Sequence, residues 1–153
     1  MKLVIGSDSL NQAREFFERV GSYGREGTGL LFAKAQGATL VVTRFIAPDQ
    51  VTGRDSCWVE VTMKGKLEVA VALAPGELIA ARIHSHPGEA FHSSVDDQNP
   101  GLTAEGAWSI VVPYYGLGLR RGISACAIHQ RKDGNWRRLR SDEIADCLSI
   151  IPA

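Results

Sequence analysis

The sequence carries no excess charge, with 17 lysines and arginines against 17 aspartates and glutamates over 153 residues. A chain without a net field gives no global reason to bind nucleic acid or an anionic membrane. It has no apolar run near the roughly 20 residues needed to span a bilayer. The N-terminus, MKLVIGSDSL, offers one lysine and a short apolar stretch. It lacks the long apolar core and cleavage site of a secretory leader, so the expected compartment is cytoplasmic. Cysteine is scarce: Cys57, Cys126 and Cys147 are odd in number, widely spaced and never in a Cys-x-x-Cys pair. That argues against a disulfide framework or a four-thiolate zinc site and predicts reduced, mostly buried thiols. Local basic clusters, Arg120-Arg121 and Arg137-Arg138-Arg140, read as solvated strand faces or contacts for an acidic protein patch.

What is present is an ordinary globular composition, 44% apolar and 22% charged, and a length that fits one domain over 1–153 with its own core. Lys2 to Ile5 reads as a short strand. Ser9 and Gln12 form a capping-box pattern before a helix over 10–20, whose apolar positions are Leu10, Ala13, Phe17 and Val20. Gly29 to Ala35 and Thr39 to Ile46 read as a hairpin across Gln36-Gly37. Residues 48–55 read as a polar loop and 56–61 as a strand. Met63 to Ala74 is ambiguous: Leu67, Ala70, Val71 and Ala74 fit a helical stripe that Thr62 could cap, against Gly65 and the valines. Leu78 to Ile83 has the near-continuous apolar character of a buried strand, as does Ser109 to Val112. Residues 123–130 and 136–139 read as the last strands, joined across Asp133-Gly134-Asn135. Ser141 opens a short helix with Asp142 and Glu143 in its first turn, as the helix dipole favours. The sum is a mixed β-sheet flanked by two or three helices, of α/β or α+β class.

Chemistry concentrates at 84–97, HSHPGEAFHSSVDD. His84 and His86 have the same parity on an extended chain, so their rings point to one side. Pro87 keeps His86 extended and then stops the strand. Two imidazoles and a carboxylate make a three-ligand zinc set, and zinc brings the pKa of a bound water near neutrality. Ser94 and Asp97 are three apart and share a face on a helical turn, but spacing alone leaves Ser93 and Asp96 as competitors. His92 and His129 read as non-ligands, and Glu89 as a solvated loop residue. A zinc hydrolase also needs a carboxylate that takes a proton from water and returns it to the leaving group. No His-Glu-x-x-His supplies one. Glu15, Glu18, Glu26, Glu60, Glu68 and Glu77 precede the motif, and Glu26 is favoured because it stands at the entrance of the buried run Gly29-Leu30-Leu31-Phe32.

His84-Ser85-His86, seven residues, Ser94, two residues and Asp97 resembles the JAMM (MPN-plus, JAB) metalloprotease pattern. Glu26-Gly27-Thr28-Gly29-Leu30-Leu31 resembles the family's upstream glutamate and its Gly-Leu-Leu. The resemblance runs from about residue 10 to residue 139. It implies a single-domain cytidine-deaminase-like α/β fold and one zinc per chain held by His84, His86 and Asp97. It also implies Glu26 as general acid/base and Ser94 as donor to the oxyanion. Family members cleave after the C-terminal glycine of ubiquitin or ubiquitin-like proteins. The short size and the segment His84 to Phe91 resemble compact bacterial deconjugases, encoded with a ubiquitin-like protein and its activating and conjugating enzymes, some of them antiviral.

Two other readings stand beside this one. The same chemistry could release an amino acid such as cysteine from a ubiquitin-like sulfur carrier. A metal-bound scaffold without turnover would follow if Glu26 were misplaced. A zinc deaminase is disfavoured, because its Pro-Cys-x-x-Cys signature is missing.

Overall fold

The computed structural model describes residues 1–52, 59–91 and 102–153. β1 (Lys2–Gly6) leads into α1 (Ser7–Gly21). β2 (Thr28–Gln36) and β3 (Thr39–Ile46) form the expected antiparallel hairpin. β4 (Gln50–Thr52) and β5 (Val59–Val61) pair as a small separate sheet, and α2 (Met63–Ala72) follows. β6 (Glu77–Ser85) and β7 (Trp108–Val112) run parallel. After a stretch of 3-10 turns broken by a kink at Tyr115 and Gly116, Tyr114–Arg121, come β8 (Ala127–Lys132), β9 (Asn135–Arg138), α3 (Ser141–Cys147) and β10 (Leu148–Ile151). Eight strands make one mixed sheet in the order β10-β1-β3-β2-β6-β7-β8-β9. Among the described residues no helix is long and apolar enough to cross a membrane.

The sheet has two unlike faces. Leu31, Ala81, Ile83, Trp108, Ile110, Val112 and Ile128 turn one way and meet Leu10, Ala13 and Phe17 of α1 in the apolar core. On the other face the ladders align Leu30, Arg82, Ser109, His129 and Arg138 in one row across five strands. Arg82, Ser109 and His129 in this row are buried. The Arg82 Nε–H donates to Ser109 Oγ at 3.1 Å, and its guanidinium lies 4.9 Å from the Trp136 ring.

Several expectations are corrected. α1 starts at Ser7 with Gly6 as its N-cap and no side-chain cap, so Ser9 lies buried inside the first turn. β1 delivers the chain straight into the helix, and Asp8 supplies the first-turn acid that suits the dipole. The polar loop contains a strand, β4, because Gln50 turns its side-chain amide onto neighbouring backbone rather than into water. α2 forms and Thr62 caps it, accepting from the Gly65 N–H at 3.0 Å. Its expected inner stripe is nevertheless outside: Leu67 and Val71 are exposed, while Gly65 and Val69 are buried. A side chain at Gly65 would collide with the Asp49 carbonyl, so that close approach decides which face turns in. Residues 123–125 form a 3-10 turn rather than strand. β10, which pairs in parallel with β1, was not expected at all. Cys126 is a buried free thiol, and burial pushes its pKa up to about 12. Cys147 is also free and half-buried; its Sγ–H donates to the Glu143 carbonyl. Cys57 lies outside the described residues.

Candidate active site

β6 delivers the two histidines. His84 is its penultimate residue, and His86 follows its last, Ser85. Both are buried, and their ring centroids are 5.1 Å apart. Two imidazoles bonded to one tetrahedral zinc at about 2.0–2.1 Å would set their centroids about 5 Å apart. The pair therefore fits a shared metal ion. Among the described residues no third His, Cys, Asp or Glu joins them in a metal-holding group. Ser94 and Asp97, with His92, Ser93 and Asp96, lie outside the described residues.

Glu26 arrives from a different part of the chain. β2 runs antiparallel to β6, with Thr28 opposite His84. One step on, the Ser85 N–H donates to the Gly27 carbonyl and the Gly27 N–H donates to Ser85 Oγ, both at 2.9 Å. Glu26 directly precedes this clamped glycine. It is buried, unlike the exposed loop acid that its local sequence alone would suggest. The middle residue of His-Ser-His thus has a part of its own, since Ser85 is fully buried and clamps the strand that carries Glu26.

Gln50 fixes the same strand from its other side. β3 ends at Ile46, opposite Leu30, and leaves Thr28 without a backbone partner on that edge. The Gln50 side chain substitutes for one. Thr28 N–H donates to Gln50 Oε1 at 2.8 Å, and Gln50 Nε2 donates to the carbonyls of Thr28 at 2.9 Å and Pro48 at 2.7 Å. Together these three bonds hold the part-buried edge in place.

The backbone of His86 is held at both ends. Its N–H donates to the Val112 carbonyl at 2.9 Å, and its carbonyl accepts from the Tyr115 N–H at 2.8 Å. The Tyr114 N–H donates to the Gly88 carbonyl at 2.9 Å. Tyr114 and Tyr115 take φ of 55° and 52°, the left-handed region that disfavours side chains by about 1–2 kcal/mol per residue. Phe91 is half-exposed and sets its ring edge against His86 at 4.9 Å between centroids. Glu89 is exposed, as expected. Sequence reasoning missed Ser85, Gln50 and the two tyrosines. A buried serine between histidines was a usable signal; nothing local marks Gln50 as a strand substitute or two tyrosines as left-handed.

Similarity to known proteins agrees with this geometry. The chain superposes on a JAB1/MPN domain protein from Archaeoglobus fulgidus with a TM-score of 0.54 at 17% identity, covering 99% of both chains. The fold is therefore that of the JAB1/MPN domain. A second structure, protein DSY2949 from Desulfitobacterium hafniense, matches with a TM-score of 0.66 at 12% identity over 99% of this chain and 94% of that one. In sequence the chain is 27% identical over 146 residues to the "Probable metalloprotease y4jG" of Sinorhizobium fredii, covering 94% of this chain and 90% of the relative. No protein-family model matches the chain.

Proposed function

We propose that this chain is a zinc metallopeptidase that cleaves after the C-terminal glycine of a ubiquitin-like protein, as an isopeptidase, a precursor-processing enzyme or both. The observation that carries the reading is the buried His84–His86 pair at the spacing of a shared ion, with a buried Glu26 next to Gly27, which Ser85 clamps. The name of the Sinorhizobium relative supports peptidase chemistry. The glycine-terminated substrate and a setting in bacterial conjugation or antiviral defence rest on the resemblance to compact deconjugases.

Zinc, when bound, would supply a nucleophile at neutral pH and polarise the scissile carbonyl. His84 and His86 would hold it, with Asp97 as the third protein ligand that the JAMM pattern implies. Glu26 accepts a proton from the attacking water and delivers it to the leaving amine as the C–N bond breaks, so that acid and amine are released in balance. Ser94, by the same pattern, donates to the oxygen that gains negative charge. Phe91, exposed beside His86, is placed to touch the extended tail of the substrate. The precursor or the conjugates of the modifier would be the substrates, and activating and conjugating enzymes would be encoded nearby.

The test is cleavage of a ubiquitin-like fusion by wild type and by Glu26→Gln, with metal content measured on both. We expect one zinc per chain in each, cleavage by wild type only, and inhibition by chelator. Equal cleavage by both proteins would remove Glu26 from the mechanism.

A further inference from the structure

We infer that the C-terminal half of α1 is a brace that sets the distance between the two halves of the site from the opposite side of the sheet; this rests on the metal-site reading above. The helix touches both halves. Toward the Glu26 strand, Phe16, Phe17 and Val20 come so close to Gly27 that a Cβ there would lie 2.9 to 3.0 Å from each. Toward the His86 loop, Gly21 seats Tyr115: a Cβ at Gly21 would lie 2.5 Å from Tyr115 Cβ and 3.0 Å from its Cγ. Gly116 fits against Phe17, where a Cβ would lie 2.6 Å from Phe17 Cβ, and Arg120 Nε donates to Glu18 Oε1 at 2.6 Å.

Tyr115 is the residue whose N–H holds the His86 carbonyl. Two consecutive tyrosines at φ of 55° and 52° persist only where surrounding structure over-determines the backbone. Here the surrounding structure is α1, through Gly21, Phe17 and Glu18. The same few residues of one helix therefore fix Gly27, beside the acid/base Glu26, and Tyr115, bonded to the ligand His86. Gly21 and Tyr115 are positioning residues for the site, although neither touches metal or substrate.

The decisive variant is Gly21→Ala. Alanine by itself favours the helix, so any loosening must come from displacing Tyr115. Zinc affinity is measured by competition with a chromophoric chelator, and exchange of the Tyr115 amide by NMR on metal-free protein. Gly21→Ala should weaken zinc by about 10–100-fold, the usual cost of disturbing an outer-shell partner, and speed Tyr115 exchange. Adding Tyr115→Gly should restore most of the affinity, because glycine keeps the N–H, tolerates the left-handed backbone and removes the collision. Wild-type zinc affinity or unchanged Tyr115 exchange in Gly21→Ala overturns the brace. A wild-type chain that binds no zinc overturns the metal reading itself. Should Gly21→Ala not fold, Tyr115→Val replaces it, since a β-branched side chain resists the left-handed backbone: weakened zinc supports the brace and unchanged zinc overturns it.

Discussion

Along β6 and one residue beyond, Ala81, Ile83 and Ser85 turn toward α1, while Arg82, His84 and His86 turn away, and all six are buried. Burial alone does not separate the two faces; chemistry does. On the α1 side, apolar area leaves water at a gain of about 25 cal/mol per Å². On the other side, an arginine, a serine and three histidines are withdrawn from water, which costs free energy unless each polar atom is matched. One face is apolar and the other gathers buried polar and ionisable groups. Away from the α1 contacts to Gly27 and Tyr115, the sheet lets each be altered without rewriting the other.

Substitutions can break that division. The largest effect belongs to the site face: Glu26→Gln should lower turnover by about 10²–10⁴-fold, the usual worth of a general acid–base. Its melting midpoint and zinc content should match wild type, and a parallel fall in both would show that the faces are not separable. Next comes the apolar face. Ile110→Ala should cost about 2–5 kcal/mol in chemical denaturation, while the folded protein still takes up one zinc. Zinc lost at unchanged stability would contradict the comparison. Gln50→Ala lies between the two, because it strips partners from Thr28 at the boundary of the site. About 1–3 kcal/mol is expected, with faster hydrogen exchange at the Thr28 amide as the local readout.

The smallest effect sits at the far end of the same strand. Glu77 opens β6, and its carboxylate accepts from Thr43 Oγ1 at 2.6 Å, Arg44 at 2.7 Å and the Ala74 N–H at 2.8 Å. These bonds, Thr43 first and then Arg44, hold its pKa down at about 2 against an ordinary 4.5. The folded value is the lower one, so the stabilisation is full above pH 4.5 and is lost as pH falls toward 2. Glu77→Gln should flatten that acid limb in a melting-versus-pH series while leaving zinc affinity at neutral pH unchanged. A loss of zinc affinity would mean that the two ends of β6 are coupled.

Much of the fold was legible because its signals are local. The β2–β3 hairpin, β6, β7, the Asp133-Gly134 turn and Thr62 as a cap each depend on a few neighbouring residues. The parity of His84 and His86 is likewise a property of any extended chain. Ser9 misled because a capping pattern within a few residues of a strand end competes with the strand's own delivery into the helix. Leu67 and Val71 misled because a helical stripe says that one face is apolar but not that anything covers it. Gln50 was illegible because a side-chain amide can replace a strand only where another strand happens to stop.

By itself, the sequence determined a mixed sheet, a histidine pair on one side of a strand end, and a short set of acids that could serve it. Tertiary structure decided that Glu26 is buried next to Gly27, that Ser85 clamps Gly27 while Gln50 holds Thr28, and that β10 closes beside β1. Gly27 and Ser85 are 58 residues apart, and Gly21 and Tyr115 are more distant still. Contacts of that range are set by the route of the chain through the sheet and by how closely helix and strand backbones can approach. No local preference of the residues involved records either one.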